Sequence, residues 1–159
     1  MSWDNFDGLK VKFGLDRAEE NPKGRNAVQA TNHMTVSIDL VNGNHALTDV
    51  SEWDAYIPAG SAITKATLVV TEAIAGAGTE TVSIGLAQPD QTVIDADGID
   101  ATIAFGALGS GAVVNCDGAL VGGTSTIGSN RGVVYVTPSA ATLTAGKADL
   151  VIEYVGVGA

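Results

Sequence analysis

Apolar residues recur at every second position along most of this chain, and Gly, Pro and Asp clusters interrupt them. That period is the signature of strands with one buried face, and helical spacing is scarce. Met34, Val36, Ile38 and Leu40 share one face of the cleanest strand. Ile63 to Thr71 is rich in Thr and Val, and Val82, Ile84 and Leu86 alternate with Thr81, Ser83 and Gly85. With only a Gly76-Ala77-Gly78 turn between them, 63–74 and 80–86 are expected to pair as an antiparallel hairpin. Weaker strands are expected at 112–116 and 118–121, and stronger ones at 132–137 and 148–155. In the last, Ala148, Leu150, Ile152 and Tyr154 oppose Asp149, Val151, Glu153 and Val155. One short helix is expected over Ala101 to Leu108, capped by Asp100.

About eight short strands at roughly ten-residue spacing with glycine-rich turns predict an all-β chain, an antiparallel two-sheet sandwich. An immunoglobulin domain would bring a Cys pair around a buried Trp, and Cys116 is the only cysteine. A jelly roll is the better match, although strand order is not legible. Uncharged Thr and Val on both faces of several strands further suggest that a neighbouring subunit covers some outer faces.

Charge divides the chain. Through position 33, five basic residues (Lys10, Lys12, Arg17, Lys23, Arg25) balance five acidic ones. Beyond it only Lys65, Arg131 and Lys147 face thirteen acidic residues, so the net charge of −10 belongs to the body. Such a field repels phosphate backbones, which excludes nucleic acid as a direct partner. The division reads as an extended N-terminal arm, 1–33, and a sandwich body, 34–159. Leu9, Val11, Phe13 and Leu15 alternate with Lys10, Lys12, Gly14 and Asp16, an amphipathic strand within the arm; the alternative is an ordinary first strand of the sandwich. Residues 16–26 are too polar for core and read as an exposed crossing. No stretch has the length of a membrane-spanning helix, no membrane partner is expected, and the acidic start lacks the order of a signal peptide. Synthesis and folding are expected in the cytoplasm.

Groups for catalysis are few. His33 and His45 lie in no catalytic pattern, and Cys116, followed by Asp117 and Gly118, reads as a small buried thiol. Asp95, Asp97 and Asp100, spaced around Gly98, are a weak candidate calcium loop. Their glycine and twelfth position depart from the EF-hand pattern, and the plainer reading is an Asp-Gly turn. Trp53 and Tyr56 are close together among Asp49, Glu52 and Asp54. They read either as a strand packing one aromatic inward or as a sugar-stacking pair. Neither an enzyme nor a cofactor is expected.

Four phrases carry a resemblance: Asp7 to Leu15 (Asp-Gly-Leu-Lys-Val-Lys-Phe-Gly-Leu), Tyr56 to Ala73 (beginning Tyr-Ile-Pro-Ala-Gly-Ser), Ser83 to Leu86, and the Asp95 to Asp100 turn. Together they resemble the head decoration, or cement, proteins of tailed bacteriophages, over roughly the first two thirds of the chain. The resemblance implies a non-enzymatic virion protein with a jelly-roll body, commonly a homotrimer, on the outer surface of the head. Its partner would be the major capsid protein, whose capsomers it clamps. In that setting the arm would dock, with Phe6, Leu9, Val11 and Phe13 as apolar anchors and Lys10, Lys12, Arg17, Lys23 and Arg25 pairing with shell carboxylates. A receptor- or glycan-binding module of a head or tail fibre is the alternative, and a hydrolase on a β-sandwich is a more distant one.

Overall fold

Two four-stranded antiparallel sheets face each other across one apolar core. The computed structural model describes residues 2–4, 10–12, 31–41, 45–76, 80–122, 125–139 and 143–156. The strands are β1 (Ser2–Asp4), β2 (Lys10–Lys12), β3 (Asn32–Asp39), β4 (Tyr56–Ile57), β5 (Ser61–Gly76), β6 (Thr81–Ala87), β7 (Val93–Ala104), β8 (Val113–Asn115), β9 (Gly132–Pro138) and β10 (Leu143–Gly156). The first sheet has the order β3-β10-β5-β8 and the second β4-β9-β6-β7. From β3 on, successive strands alternate between the sheets except for the paired β6 and β7, the order that two nested Greek keys require, which is the jelly roll. β1 and β2 pair with each other, Trp3 opposite Val11, in a separate two-stranded sheet.

The alternation read from the sequence is what builds the core. Val36 and Ile38 of β3, Ala66, Leu68 and Val70 of β5, and Ala148, Leu150 and Ile152 of β10 all point inward. They meet Val82, Ile84 and Leu86 of β6 and Val134 and Val136 of β9. β9 departs from alternation: Val133 to Val136 are all buried, because its outer face is covered as well. A strand hidden on both sides reads as a continuous apolar run.

Three expectations are corrected. The segments 63–74 and 80–86 do not form a hairpin: β5 lies between β10 and β8, and β6 lies between β9 and β7 in the opposite sheet. Both edges of each strand are already taken, so their apolar faces meet across the core instead. The helix over 101–108 is a strand through Ala104, and only Phe105–Ala107 makes a short 3₁₀ turn. Ile99 and Ile103 are four apart, a spacing that satisfies a helix face and a strand face equally. Asp100 does accept a backbone N–H as a cap would, but from Thr102 in extended chain, at 3.1 Å. Finally, 118–121 forms a turn whose one ladder contact is a parallel bridge between Val121 and Ile63.

β7 is longer than its partner and bulges against it. Between the pairs Ile84–Asp100 and Leu86–Asp95, β6 advances two residues while β7 advances five. The surplus arches over the outer face of β6 at Gly85, where a Cβ would stand 2.5 Å from the carbonyl oxygens of Asp95 and Ala96. Bulges of this kind sharpen the local twist and re-aim side chains.

Candidate functional site

The outer faces of the two sheets differ, and the difference defines where a partner can bind. Over the second sheet the chain covers itself. Val50 packs with Ala87, Val133 and Tyr135, with Leu47 against them, as a second apolar cluster. Gln91 Nε2 ties the covering loop down by donating to the Thr48 carbonyl at 3.0 Å. His45 Nε2 lies 2.7 Å from the Ser37 carbonyl, and because a carbonyl only accepts, that nitrogen carries the proton. The cleft around His45, bounded by Asp54 and Val133, is open and about 180 Å³. That is smaller than an ordinary ligand pocket, and the imidazole in it is holding the loop. His33 is exposed on the outer face of β3.

The covering loop ends in a tight turn that presents Trp53. Asp54 Oδ2 accepts from the Ser51 N–H at 2.7 Å and from the Ser51 hydroxyl at 3.1 Å. Trp53 is 95% exposed at its tip, and Tyr56 is 45% exposed beneath the Arg131 guanidinium, which lies 5.1 Å from the ring centroid. The expectation that one of these aromatics packs inward is therefore overturned. Val50 takes the inward place, leaving the indole free.

Among the described residues nothing covers the outer face of the first sheet. Its centre is uncharged in the main: Val69, Val113, Val151, Thr35, Thr67 and Asn115 lie side by side by strand register. Asp149 stands among them, its carboxylate accepting from the Ser37 hydroxyl at 2.7 Å. At one end Lys147 reaches Asp39 at 3.9 Å on one side and Glu72 at 3.8 Å on the other. These positions alternate in sequence, yet alternation cannot tell which outer face the chain covers with its own loop.

The aspartates of the suggested metal loop do not converge. Asp95 and Asp97 lie on the Tyr135 side of β7; burial, and after it their charges, hold the phenol above its ordinary range. Asp100, 5% exposed, turns instead toward Cys116 and Asp117. Among the described residues no group of three His, Cys, Asp or Glu side chains is placed to hold a metal ion. The glycines here serve close backbone approach: Gly118 N–H donates to the Ile99 carbonyl at 2.9 Å and Leu120 N–H to the Gly98 carbonyl at 2.8 Å. This tether stitches the turn after β8 to the edge of β7 and so joins the two sheets. Cys116 beside it is buried, and desolvation, then the Asp100 carboxylate, push its thiol up to about 12. It is not a nucleophile at neutral pH.

Asp100 gives a prediction with a definite sign. Burial raises its carboxyl above the ordinary value of 3.8, and the Asp117 charge adds to this against the opposing Thr102 N–H. The folded protein thus holds the proton more tightly than the unfolded chain, and the cost is absent below 3.8 and present in full above the folded value. Asp100→Asn keeps the oxygen that accepts from Thr102 and removes the charge. It is expected to raise the melting temperature at pH 7 and to leave it unchanged near pH 3. Thermal melts at the two pH values check it; an equal shift at both would remove the assignment.

Of the arm residues, Lys10, Val11 and Lys12 form β2 against Ser2 to Asp4. Phe6, Leu9, Phe13, Arg17, Lys23 and Arg25 lie outside the described residues. Among the described residues no helix is long and apolar enough to cross a membrane.

The described residues thus build an eight-stranded jelly roll whose second sheet is covered by the chain's own loop, with no such cover over the first. Solved structures with the same fold come from bacteriophage capsids. The chain is similar to one in the capsid of Ralstonia phage GP4, with a TM-score of 0.57 and 18% identity over 86% of this chain and 90% of that one. It is similar to a chain in the acidic stable capsid structure of Helicobacter pylori bacteriophage KHP30, with a TM-score of 0.54 and 17% identity, covering 80% and 88%. A third is a chain of the cyanophage Pam1 capsid asymmetric unit, with a TM-score of 0.52 and 17% identity, covering 88% and 99%. No family model and no curated protein matches the chain in sequence.

Proposed function

We propose that this chain is a non-enzymatic structural protein of a bacteriophage virion that binds the outer surface of the capsid and stabilises the shell by bridging capsomers of the major capsid protein. The observation that carries the reading is the shared fold, over most of both chains, with three chains of phage capsid structures. Charge supports the outer placement, since a body bearing the whole net charge of −10 is repelled by packaged DNA. In this reading residues 1–33 are the docking arm. Phe6, Leu9, Val11 and Phe13 supply apolar contact, and Lys10, Lys12, Arg17, Lys23 and Arg25 meet shell carboxylates. Addition of the arm strand to a sheet edge of the shell would give affinity through backbone hydrogen bonds without a deep pocket. The trimer that the resemblance implies would repeat each arm contact three times, and linked contacts raise avidity well beyond one alone.

Heads assembled without this chain provide the test. The full chain is expected to cosediment with them and to raise their resistance to heat, while a chain lacking residues 1–26 loses binding by tenfold or more. Equal binding by both would eliminate the arm, and absence of binding by either would eliminate the capsid reading. The bare indole of Trp53 beside Tyr56 favours one second reading, a glycan- or receptor-binding module. That reading requires glycan binding that Trp53→Ala abolishes.

A further inference from the structure

On each of the three long strands of the first sheet, the charged residue at one end of the open face is answered by a contrasting group at the other end. β10 carries Lys147 at one end and Glu153 at the other, and β5 carries Glu72 and Lys65. β3 carries Asp39 and, at its far end, the His33 imidazole. The register places Asp39, Lys147 and Glu72 in one row across the sheet and His33, Glu153 and Lys65 in another, with two rows between them: Ser37, Asp149 and Val69, then Thr35, Val151 and Thr67.

From this inversion we infer that the open face binds the same face of a second copy of this chain about a two-fold axis lying across the strands. Such an axis keeps each strand over its own counterpart and reverses its direction. Lys147 then meets the second copy's Glu153, Glu72 meets its Lys65, and Asp39 meets its His33, each contact occurring twice. An axis along the strands would instead set Asp39 against Glu72 and is excluded by repulsion. Between the charged rows, Val69 is brought against the second copy's Thr67, and Val151 against its Asp149, whose carboxylate keeps the hydroxyl of Ser37, in the aligned packing that sandwich sheets adopt.

The size of the face sets the strength of the contact. Three strands about 4.8 Å apart, each presenting about 20 Å of length, with the three-residue β8 adding about 10 Å, make a face of roughly 340 Å². Two such faces bury about 700 Å², below the size of a standard specific interface and in the range of weak association. The pairing is therefore concentration-dependent, favoured where copies are crowded together, and weakened by salt because its specificity is ionic. It doubles whatever unit carries the face: one chain becomes two, and a unit built through other surfaces becomes a pair of such units.

A charge exchange tests the inference on the full-length protein by sedimentation over a concentration series. The wild type is expected to double in mass as concentration rises. Glu153→Lys and Lys147→Glu should each weaken this at least tenfold, because either change places like charges together twice. Mixed in equal amounts, the two variants should associate as the wild type does, since each hybrid pair has both contacts restored. The exchange Glu72→Lys with Lys65→Glu repeats the design on β5, should Lys147→Glu disturb folding beside Asp39 and Glu72. A wild type that keeps one mass throughout, single variants that associate like the wild type, or a mixture that fails to recover would each overturn the two-fold pairing.

Discussion

Gly85→Ala is expected to lower stability by about 3 kcal/mol, at the upper end of what overpacking costs. Gly85 sits in β6 between Ile84 and Leu86, which point into the core, so an added methyl would project outward beneath the β7 arch. It would stand 2.5 Å from two backbone carbonyl oxygens, those of Asp95 and Ala96. Backbone held by a ladder cannot rotate away as a side chain can, so either the bulge lifts or the β6–β7 pairing slips. Urea unfolding measures the loss as a lower midpoint at unchanged slope, and the melting temperature should fall by roughly 6–12 °C. Gly106→Ala is the control: nothing lies within 4 Å of its added Cβ, and its expected effect is below about 1 kcal/mol. Equal effects at the two sites would mean that the arch does not press on β6.

A loss of comparable size is expected from Leu150→Ala, about 3–4 kcal/mol, within the range for a fully enclosed leucine truncated to alanine. Leu150 is wholly buried in the middle of β10, opposite Val36 of β3 on one side and Leu68 of β5 on the other. It faces the second sheet across the core, so the vacated volume is bounded by two ladders that cannot close on it. The same urea experiment reads the loss, and a value under about 1 kcal/mol would show that the two sheets collapse into the gap.

Much of this architecture is legible in the residues, because a half-buried strand must alternate. Met34 to Leu40, 132–137 and 148–155 are strands for the reason their pattern gives, and the sandwich follows from them. What the pattern does not carry is partnership. The β5 and β6 segments are separated by few residues, which suggests a hairpin locally, but the choice of partner depends on which edges β10, β8, β9 and β7 occupy. The Ile99 to Ile103 spacing fits two periods at once, and the bulge of β7 that resolves it is a property of the pair β6–β7. Likewise, the inward place that an aromatic was expected to take is filled by Val50, and nothing around Trp53 in sequence reports that substitution. On the interaction surface, Thr and Val outside β3, β5 and β10 were legible as a face needing cover. That, among the described residues, the second sheet is covered and the first is not depends on where the loop before β4 folds.

The order of strands also fixes when this protein can become a protein. β9 lies inside the second sheet and β10 inside the first, although both come late in the chain. Until β10 has left the ribosome, β3 and β5 have no ladder between them and their apolar faces stand open. The ladders β6–β7 and β5–β8 can form earlier, but closure of both sheets depends on contacts distant in sequence, which form slowly. Such a chain has an exposed interval before β9 and β10 emerge, when neighbouring nascent copies can pair through the same unfilled edges.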